Sequence, residues 1–342
     1  MTCEIKQGDA LEQLRQMPAR SVQCVVTSPP YWALRDFGQE GQLGLEPTPD
    51  AYVAKMVEVF AEVRRVLRDD GTCWLNIGDS YSTHHFTRQG NARSVTQKHN
   101  HFAGEDWIGK SNTDPETVAN VQQSAPGLKP KDLVGVPWML AFALRANGWY
   151  LRAEIIWAKG LSFCPSYSGS VMPESVTDRP TRGHEQVFLL TKSARYYYDN
   201  EAVREEASES SLARISQKNF ENQTGGPKDY GKTGVNPSRS ARKALENFAN
   251  NPGRNLRSVW AINPEPFREA HFATFPQKLV EPCVKAGTKV EQTVLDPFCG
   301  SGTVGVVALR LGRRFVGIEL NPEYTGMAER RIMGPLFAGG AT

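Results

Sequence analysis

Short unbroken apolar runs alternate along the chain with stretches in which apolar residues recur every three or four positions. The runs predict buried strands over 4–8, 22–27, 72–77, 151–157, 185–191, 293–296 and 315–319. The periodic stretches predict helices over 10–17, 51–67, 133–147, 276–286, 301–311 and 322–332. In the second of these, Val53, Met56, Val57, Phe60, Val63, Val66 and Leu67 trace one face. Local signals agree: Asp9 is an N-cap, Gly148 closes a helix and Pro322 opens one. Asp69-Asp70-Gly71 reads as a turn, and residues 33–50 and 160–183 as Gly- and Pro-rich loops. Residues 80–131 and 200–258 are polar and weakly periodic, the tail past Gly334 reads as loose, and no internal repeat is seen. Strands alternating with helices predict an α/β chain.

Two stretches carry chemistry. The first is Thr27-Ser28-Pro29-Pro30-Tyr31-Trp32, directly after a predicted strand. The prolines cannot donate to a ladder, so the strand must stop there. That leaves the Ser28 hydroxyl and nearby carbonyls as acceptors beside the aromatic faces of Tyr31 and Trp32. Such a cluster suits a planar base bearing an exocyclic amine. A proline-rich loop packed into the core is the plain alternative.

The second is Val294 to Gly305, VLDPFCGSGTVG, a strand, a glycine-rich turn and a helix, with a further strand ending in Glu319. Glycines let the backbone approach a ligand, the helix supplies N–H groups, and an acid at the next strand end suits a ribose diol. The turn lacks the lysine of a phosphate loop and does not match GxGxxG. Asp296 would repel a diphosphate and attract an ammonium or sulfonium. The implied ligand joins adenosine to a cationic end, as S-adenosyl-L-methionine does and NAD or ATP does not.

Bulk properties narrow the class. With 342 residues, 39% hydrophobic, the chain has enough for one large α/β domain or a domain plus a small module. Its net charge is only +3, yet residues 210–258 hold nine basic and three acidic residues with aromatics interleaved. That segment, including Arg239, Arg242 and Lys243, is the expected contact with a phosphate backbone. Cys3, Cys24, Cys73, Cys164, Cys283 and Cys299 show no CxxC spacing and read as free thiols. His84, His85, His99 and His101 lack a fixed scaffold, and no metal is expected. No signal-peptide core opens the chain and no apolar run approaches the ~20 residues of a membrane span. A cytoplasmic protein with no membrane partner is expected.

Together the two stretches resemble the DNA amino-methyltransferases. DPFCGSGT is similar to that family's FxGxG cofactor motif and TSPPYW to its [DNS]PP[YFW] catalytic motif. The catalytic motif comes first, as in the β-class permutation. The resemblance spans 4–333, least over 80–131. It implies a circularly permuted Rossmann-like methyltransferase fold: a mixed, mostly parallel twisted sheet with helices on both faces. It divides the chain into a catalytic half (1–79), a polar insert (80–131), a continuation of the sheet (132–199), a target-recognition segment (200–258) and a cofactor half (259–342). Glu319's strand and Asp9's strand should share one sheet, bringing the two ends of the chain together.

The resemblance also implies roles. Ser28, Pro29, Pro30 and Tyr31 would hold the target base, and Trp32 would contact DNA. Asp296, Pro297, Phe298, Gly300, Ser301, Gly302, Thr303 and Asn321 would line the cofactor, with Asp296 near its amino group and Glu319 on its ribose. Asp9 would meet the adenine amine. The segment 271–276, with Thr274 and Pro276, would meet the methionine carboxylate. Acceptors at Ser28 and Pro29 would free the lone pair of a flipped base's amine for methylation, without a covalent intermediate. Ser in the first motif position is commoner among cytosine-N4 enzymes and Asp among adenine-N6 enzymes of this permutation, so N4-cytosine is preferred and N6-adenine kept as the alternative. Double-stranded DNA is the expected partner, with a cognate restriction endonuclease as a second. An RNA or protein methyltransferase and a non-catalytic nucleic-acid-binding module remain open.

Overall fold

The computed structural model describes residues 2–82, 119–120, 125, 127–206, 253–265 and 275–338. Its strands are β1 (Cys3–Gln7), β2 (Val22–Thr27), β3 (Arg35–Asp36), β4 (Leu67–Ile77), β5 (Ala119–Asn120), β6 (Tyr150–Ala158), β7 (His184–Thr191), β8 (Val259–Ala261), β9 (Thr293–Asp296) and β10 (Arg314–Glu319). Its helices are α1 (Ala10–Gln16), α2 (Pro49–Val66), α3 (Val136–Ala146), α4 (Gln277–Gly287), α5 (Thr303–Arg310) and α6 (Pro322–Ala338).

Eight strands form one mixed sheet in the order β1-β10-β9-β2-β4-β7-β6-β8. Only the β4–β7 and β6–β7 pairs are antiparallel. Alternating residues of the central strands enter opposite cores. Val25, Cys73 and Leu75 pack with Leu14, Met56, Phe60 and Leu140, so α1, α2 and α3 cover one face. Cys24, Val26 and Trp74 pack with Leu279, Val284, Val307 and Ala328, so α4, α5 and α6 cover the other. This is the Rossmann-like arrangement expected of the sequence. All six cysteines are free thiols, four of them buried.

The two ends of the chain meet in this sheet. β1 pairs in parallel with β10, placing Gln7 opposite Glu319, and the Gly8 N–H donates to the Glu319 carbonyl at 2.9 Å. β2 and β9 lie side by side, and the chain leaves them in opposite directions, to β4 and to β10. In an open α/β sheet the crevice beyond such a junction is the ligand site.

Several boundaries differ from expectation for physical reasons. α3 begins at Val136 rather than Leu133, because Asp79 from the end of β4 caps it, accepting from Gly135 N at 2.9 Å and Val136 N at 3.0 Å. α2 begins at Pro49 inside the expected loop, capped by Thr48 Oγ1 at 3.0 Å from Ala51 N. β4 is continuous from Leu67, but its pairing with β2 jumps from Val22–Leu67 to Cys24–Thr72, so the residues between, Asp69-Asp70-Gly71 among them, bulge out of the ladder where the sequence reads a turn. A Cβ on Gly71 would lie 2.8 Å from the Gln23 carbonyl, so a glycine lets the strands pass there. α6 continues to Ala338, where the tail past Gly334 reads from sequence as loose. β8 pairs with β6 at the edge of the sheet farthest from β1, although it follows the polar segment in sequence.

Candidate active site

β2 and β9 deliver both sequence stretches to one edge of the sheet. Thr27 ends β2 and its hydroxyl donates to Asp296 Oδ1, at the end of β9, at 2.7 Å. Beyond this tie lies a cavity of about 490 Å³, in the size range of small-molecule sites. Ser28, Pro29, Pro30 and Tyr31 line it, together with Pro297, Phe298, Gly300, Ser301 and Thr303. Asp9, Glu319 and Asn321 line it as well.

The glycine-rich turn is built by Glu319. Its Oε2 accepts from Gly300 N at 2.7 Å and its Oε1 from Asn321 N at 2.9 Å. Burial raises its pKa, and the backbone donors oppose the shift. Asn321 Oδ1 in turn accepts from Glu323 N at 2.9 Å, starting α6. The two turn glycines serve different ends. A Cβ on Gly300 would meet nothing within 4 Å, whereas one on Gly302 would meet Ala328 Cβ at 3.0 Å and Ile332 Cδ1 at 2.9 Å. Gly300 therefore opens the turn to the cavity, and Gly302 lets α6 pack against it. The Ser301 and Thr303 hydroxyls are held by Arg331, at 2.8 and 3.0 Å.

Three of the expected residues stand apart from the cavity. Gly302 does not line the cavity. Neither does Asp296: its carboxylate is buried beneath the turn, with Oδ1 also accepting from Phe298 N at 3.1 Å and Oδ2 without a partner among the described residues. Desolvation pushes its pKa up to about 7. Trp32 turns away into the core, 1% exposed, and its indole donates to the Glu46 carbonyl at 2.8 Å.

On the Ser28 side, the Pro30 carbonyl accepts from the buried Tyr52 hydroxyl at 2.8 Å, which anchors the turn. The Tyr31 ring lies against Gly78, where a Cβ would come within 2.5 Å of it. Its hydroxyl is 3.3 Å from Ser28 Oγ, 2.7 Å from Glu185 Oε2 and 3.1 Å from Asn76 Oδ1. Glu185 is also ion-paired with Lys159, whose ammonium stands over the Trp157 ring at 4.7 Å. Asn76, Trp157, Lys159 and Glu185 all line the cavity and escape the sequence reading. They come together only because β4, β7 and β6 are neighbours, with Trp157 opposite Glu185. Phe37 and Tyr324 form another wall, edge to face at 6.3 Å; the first lies in a stretch that reads only as loop.

Asp9 caps α1, accepting from Glu12 N at 3.0 Å, and still borders the cavity. Pro276 stands directly before α4. Thr274, Arg239, Arg242, Lys243 and the four histidines at 84, 85, 99 and 101 lie outside the described residues. Of the basic segment, Arg254 and Arg257 are described, and both pair with Glu205, at 2.5 and 3.0 Å.

Comparison with known proteins is consistent with this geometry. The sequence model of the DNA methylase family matches residues 22–330. The chain is 44% identical to the Type II methyltransferase M.Cfr9I of Citrobacter freundii, over 96% of this chain and 87% of that protein. It is 41% identical to the Type II methyltransferase M.SmaI of Serratia marcescens, over 97% and 91%. Among solved structures, the PvuII DNA methyltransferase (cytosine-N4-specific) superposes with a TM-score of 0.57 at 18% identity, over 97% of this chain and 86% of that one. A DNA modification methylase of Thermus thermophilus, complexed with S-adenosyl-L-methionine, superposes with a TM-score of 0.53 at 22% identity, over 100% and 98%.

Proposed function

This chain belongs to the DNA methylase family, the N6/N4 amino-methyltransferases, and on that premise we propose that it methylates N4 of a cytosine flipped out of duplex DNA. It is an S-adenosylmethionine-dependent DNA methyltransferase. The observation that carries the proposal is a shared cavity: Ser28 and Pro29 line it together with Phe298, Gly300 and Glu319.

The residues present suit the cofactor. Gly300 is open toward the cavity, and Glu319 holds a carboxylate at its edge where ribose hydroxyls can donate. Phe298 and Gly300 would flank the cofactor, with Asp9 near its base. When bound, S-adenosylmethionine supplies an electrophilic methyl group on a sulfonium. Asp296 lies under the turn, and in its ionised form it would favour a positive charge in the site through space rather than by contact.

The protein's own task is to prepare the nucleophile. An exocyclic amine is weakly nucleophilic because its lone pair is delocalised into the ring. Ser28 Oγ and the Pro29 carbonyl accept its two hydrogens, favour a tetrahedral nitrogen and return the lone pair to it. These acceptors act most strongly on the charge that grows in the transition state. Tyr31 gives the extruded base a wall to rest on. No nucleophilic cysteine is needed: burial raises the pKa values of Cys24, Cys73 and Cys299, which stay as inert thiols.

The serine at position 28 supports cytosine over adenine. Basic residues over 210–258 support duplex DNA binding, with Arg239, Arg242 and Lys243 as phosphate contacts. The Type II names of the relatives support a restriction endonuclease acting on the same site. No helix among the described residues is long and apolar enough to cross a membrane. The test is nucleoside analysis of DNA methylated by the pure protein: N4-methylcytosine is expected, and N6-methyladenine in its place overturns the choice of base.

A further inference from the structure

We propose that Glu185 is a positioning residue that fixes the direction of a hydrogen-bond chain ending at Ser28, so that the Ser28 oxygen faces the substrate amine as an acceptor. The inference rests on Ser28 holding that amine. Toward any one partner a serine hydroxyl can either donate or accept, and only acceptance draws out an amine hydrogen. Something must decide between the two.

The surroundings of Tyr31 decide it. Asn76 Nδ2 donates to Glu185 Oε2 and to the Gln186 carbonyl, both at 3.1 Å. Both partners are acceptors, so the amide nitrogen must face them and Asn76 Oδ1 must face Tyr31. The Tyr31 oxygen thus has two acceptors beside it, Glu185 Oε2 at 2.7 Å and Asn76 Oδ1 at 3.1 Å. A carboxylate has no proton to give, and the Lys159 ammonium occupies the other Glu185 oxygen. The single phenolic proton is therefore committed to the Glu185 side. Burial and the Glu185 charge hold the Tyr31 pKa well above its ordinary value, so the proton stays on.

With its proton committed, the Tyr31 oxygen can only accept at its 3.3 Å contact with Ser28 Oγ. Ser28 donates to Tyr31, and its lone pairs are left for the cavity. The order is Lys159 to Glu185, Tyr31 to Glu185, Ser28 to Tyr31, substrate amine to Ser28. An aspartate at position 28 would be an acceptor without help; the serine needs a neighbour to make it one.

The experiment measures methyl transfer in a single turnover, with cofactor and DNA affinities taken separately, for Glu185→Gln, Tyr31→Phe, the double variant and Ser28→Ala. With glutamine at position 185 the amide oxygen turns to Lys159 and its NH₂ turns to Tyr31, so only Asn76 Oδ1, at 3.1 Å, still draws the Tyr31 proton away from Ser28, and the chain loses the charged acceptor that fixed its direction. Glu185→Gln and Tyr31→Phe are each expected to slow the chemical step by about 10- to 100-fold with both affinities unchanged. The double variant is expected to be no slower than the slower single, because both changes cut one chain. A double variant slowed by the product of the single effects overturns the proposal. An unchanged rate in Glu185→Gln alongside a slow Ser28→Ala overturns it too, while leaving Ser28 as the amine acceptor. An unchanged rate in Ser28→Ala overturns both. Should Glu185→Gln fail to fold, an unchanged rate in Tyr31→Phe overturns the relay on its own.

Discussion

Thr27 and Asp296 stand 269 positions apart in the chain, yet the threonine hydroxyl donates to the carboxylate at 2.7 Å. The bond closes the permuted fold at its centre, joining the strand that ends in the base-binding turn to the strand that ends in the cofactor turn. It also has a titration consequence. Asp296 holds its proton to about pH 7 in the fold, against 3.8 for an ordinary aspartate. Between those values the native state binds the extra proton, so this group lowers stability as pH rises from about 4 to about 7, and the loss is complete above that. Asp296→Asn removes the titration. The melting temperature of the unliganded wild type should therefore fall relative to Asp296→Asn between pH 5 and pH 8; a constant difference would show that Asp296 is ionised throughout.

Gly300 and Gly302 should separate binding from folding. Both lie at positive φ, 51° and 80°, so alanine costs about 1–2 kcal/mol of backbone strain at either. Gly302→Ala adds a clash with Ala328 and Ile332, and should lower the melting temperature more than Gly300→Ala. Gly300→Ala instead puts a methyl into the cavity and should weaken S-adenosylmethionine binding by roughly tenfold. Calorimetric titration beside thermal melts checks the pair; equal losses of affinity would remove the distinction.

Tyr31→Ala should weaken productive DNA binding by about 10- to 100-fold, the usual worth of one stacked base, with cofactor affinity unchanged. Loss of cofactor affinity would contradict the placement of Tyr31 on the base side.

Much of the fold can be read from the chain because short buried strands and capped helices are local signals. β2 and β9 are predicted to the residue. Ser28, Phe298, Gly300 and Glu319 are legible for the same reason: each sits at a strand end or a turn whose chemistry its neighbours announce. What is hidden depends on direction or on sheet order. Trp32 reads as a free aromatic face, since sequence does not say that its ring turns inward to Glu46. Asp296 reads as a ligand contact because its burial comes from β2, far away in sequence. Asn76, Lys159 and Glu185 carry no motif, and only the pairing of β4, β7 and β6 gathers them at Tyr31.

Replacing Arg239, Arg242 and Lys243 together with alanine should lower DNA affinity and flatten its dependence on salt, since each lost phosphate contact releases fewer counterions. The slope of log K against log salt should change by up to about three for three contacts. An unchanged slope would move the DNA-binding surface elsewhere, 80–131 being the next candidate.

The central claim is that one cavity receives the methyl donor and the flipped base together. The most direct measurement is a crystal structure of the protein with a non-reactive S-adenosylmethionine analogue and a duplex carrying its mapped methylation site. The account predicts the analogue against Phe298, Gly300 and Glu319, and an extrahelical cytosine with its amine on Ser28 and Pro29. A target base still stacked in the duplex, or an analogue held in a separate cavity, would contradict it.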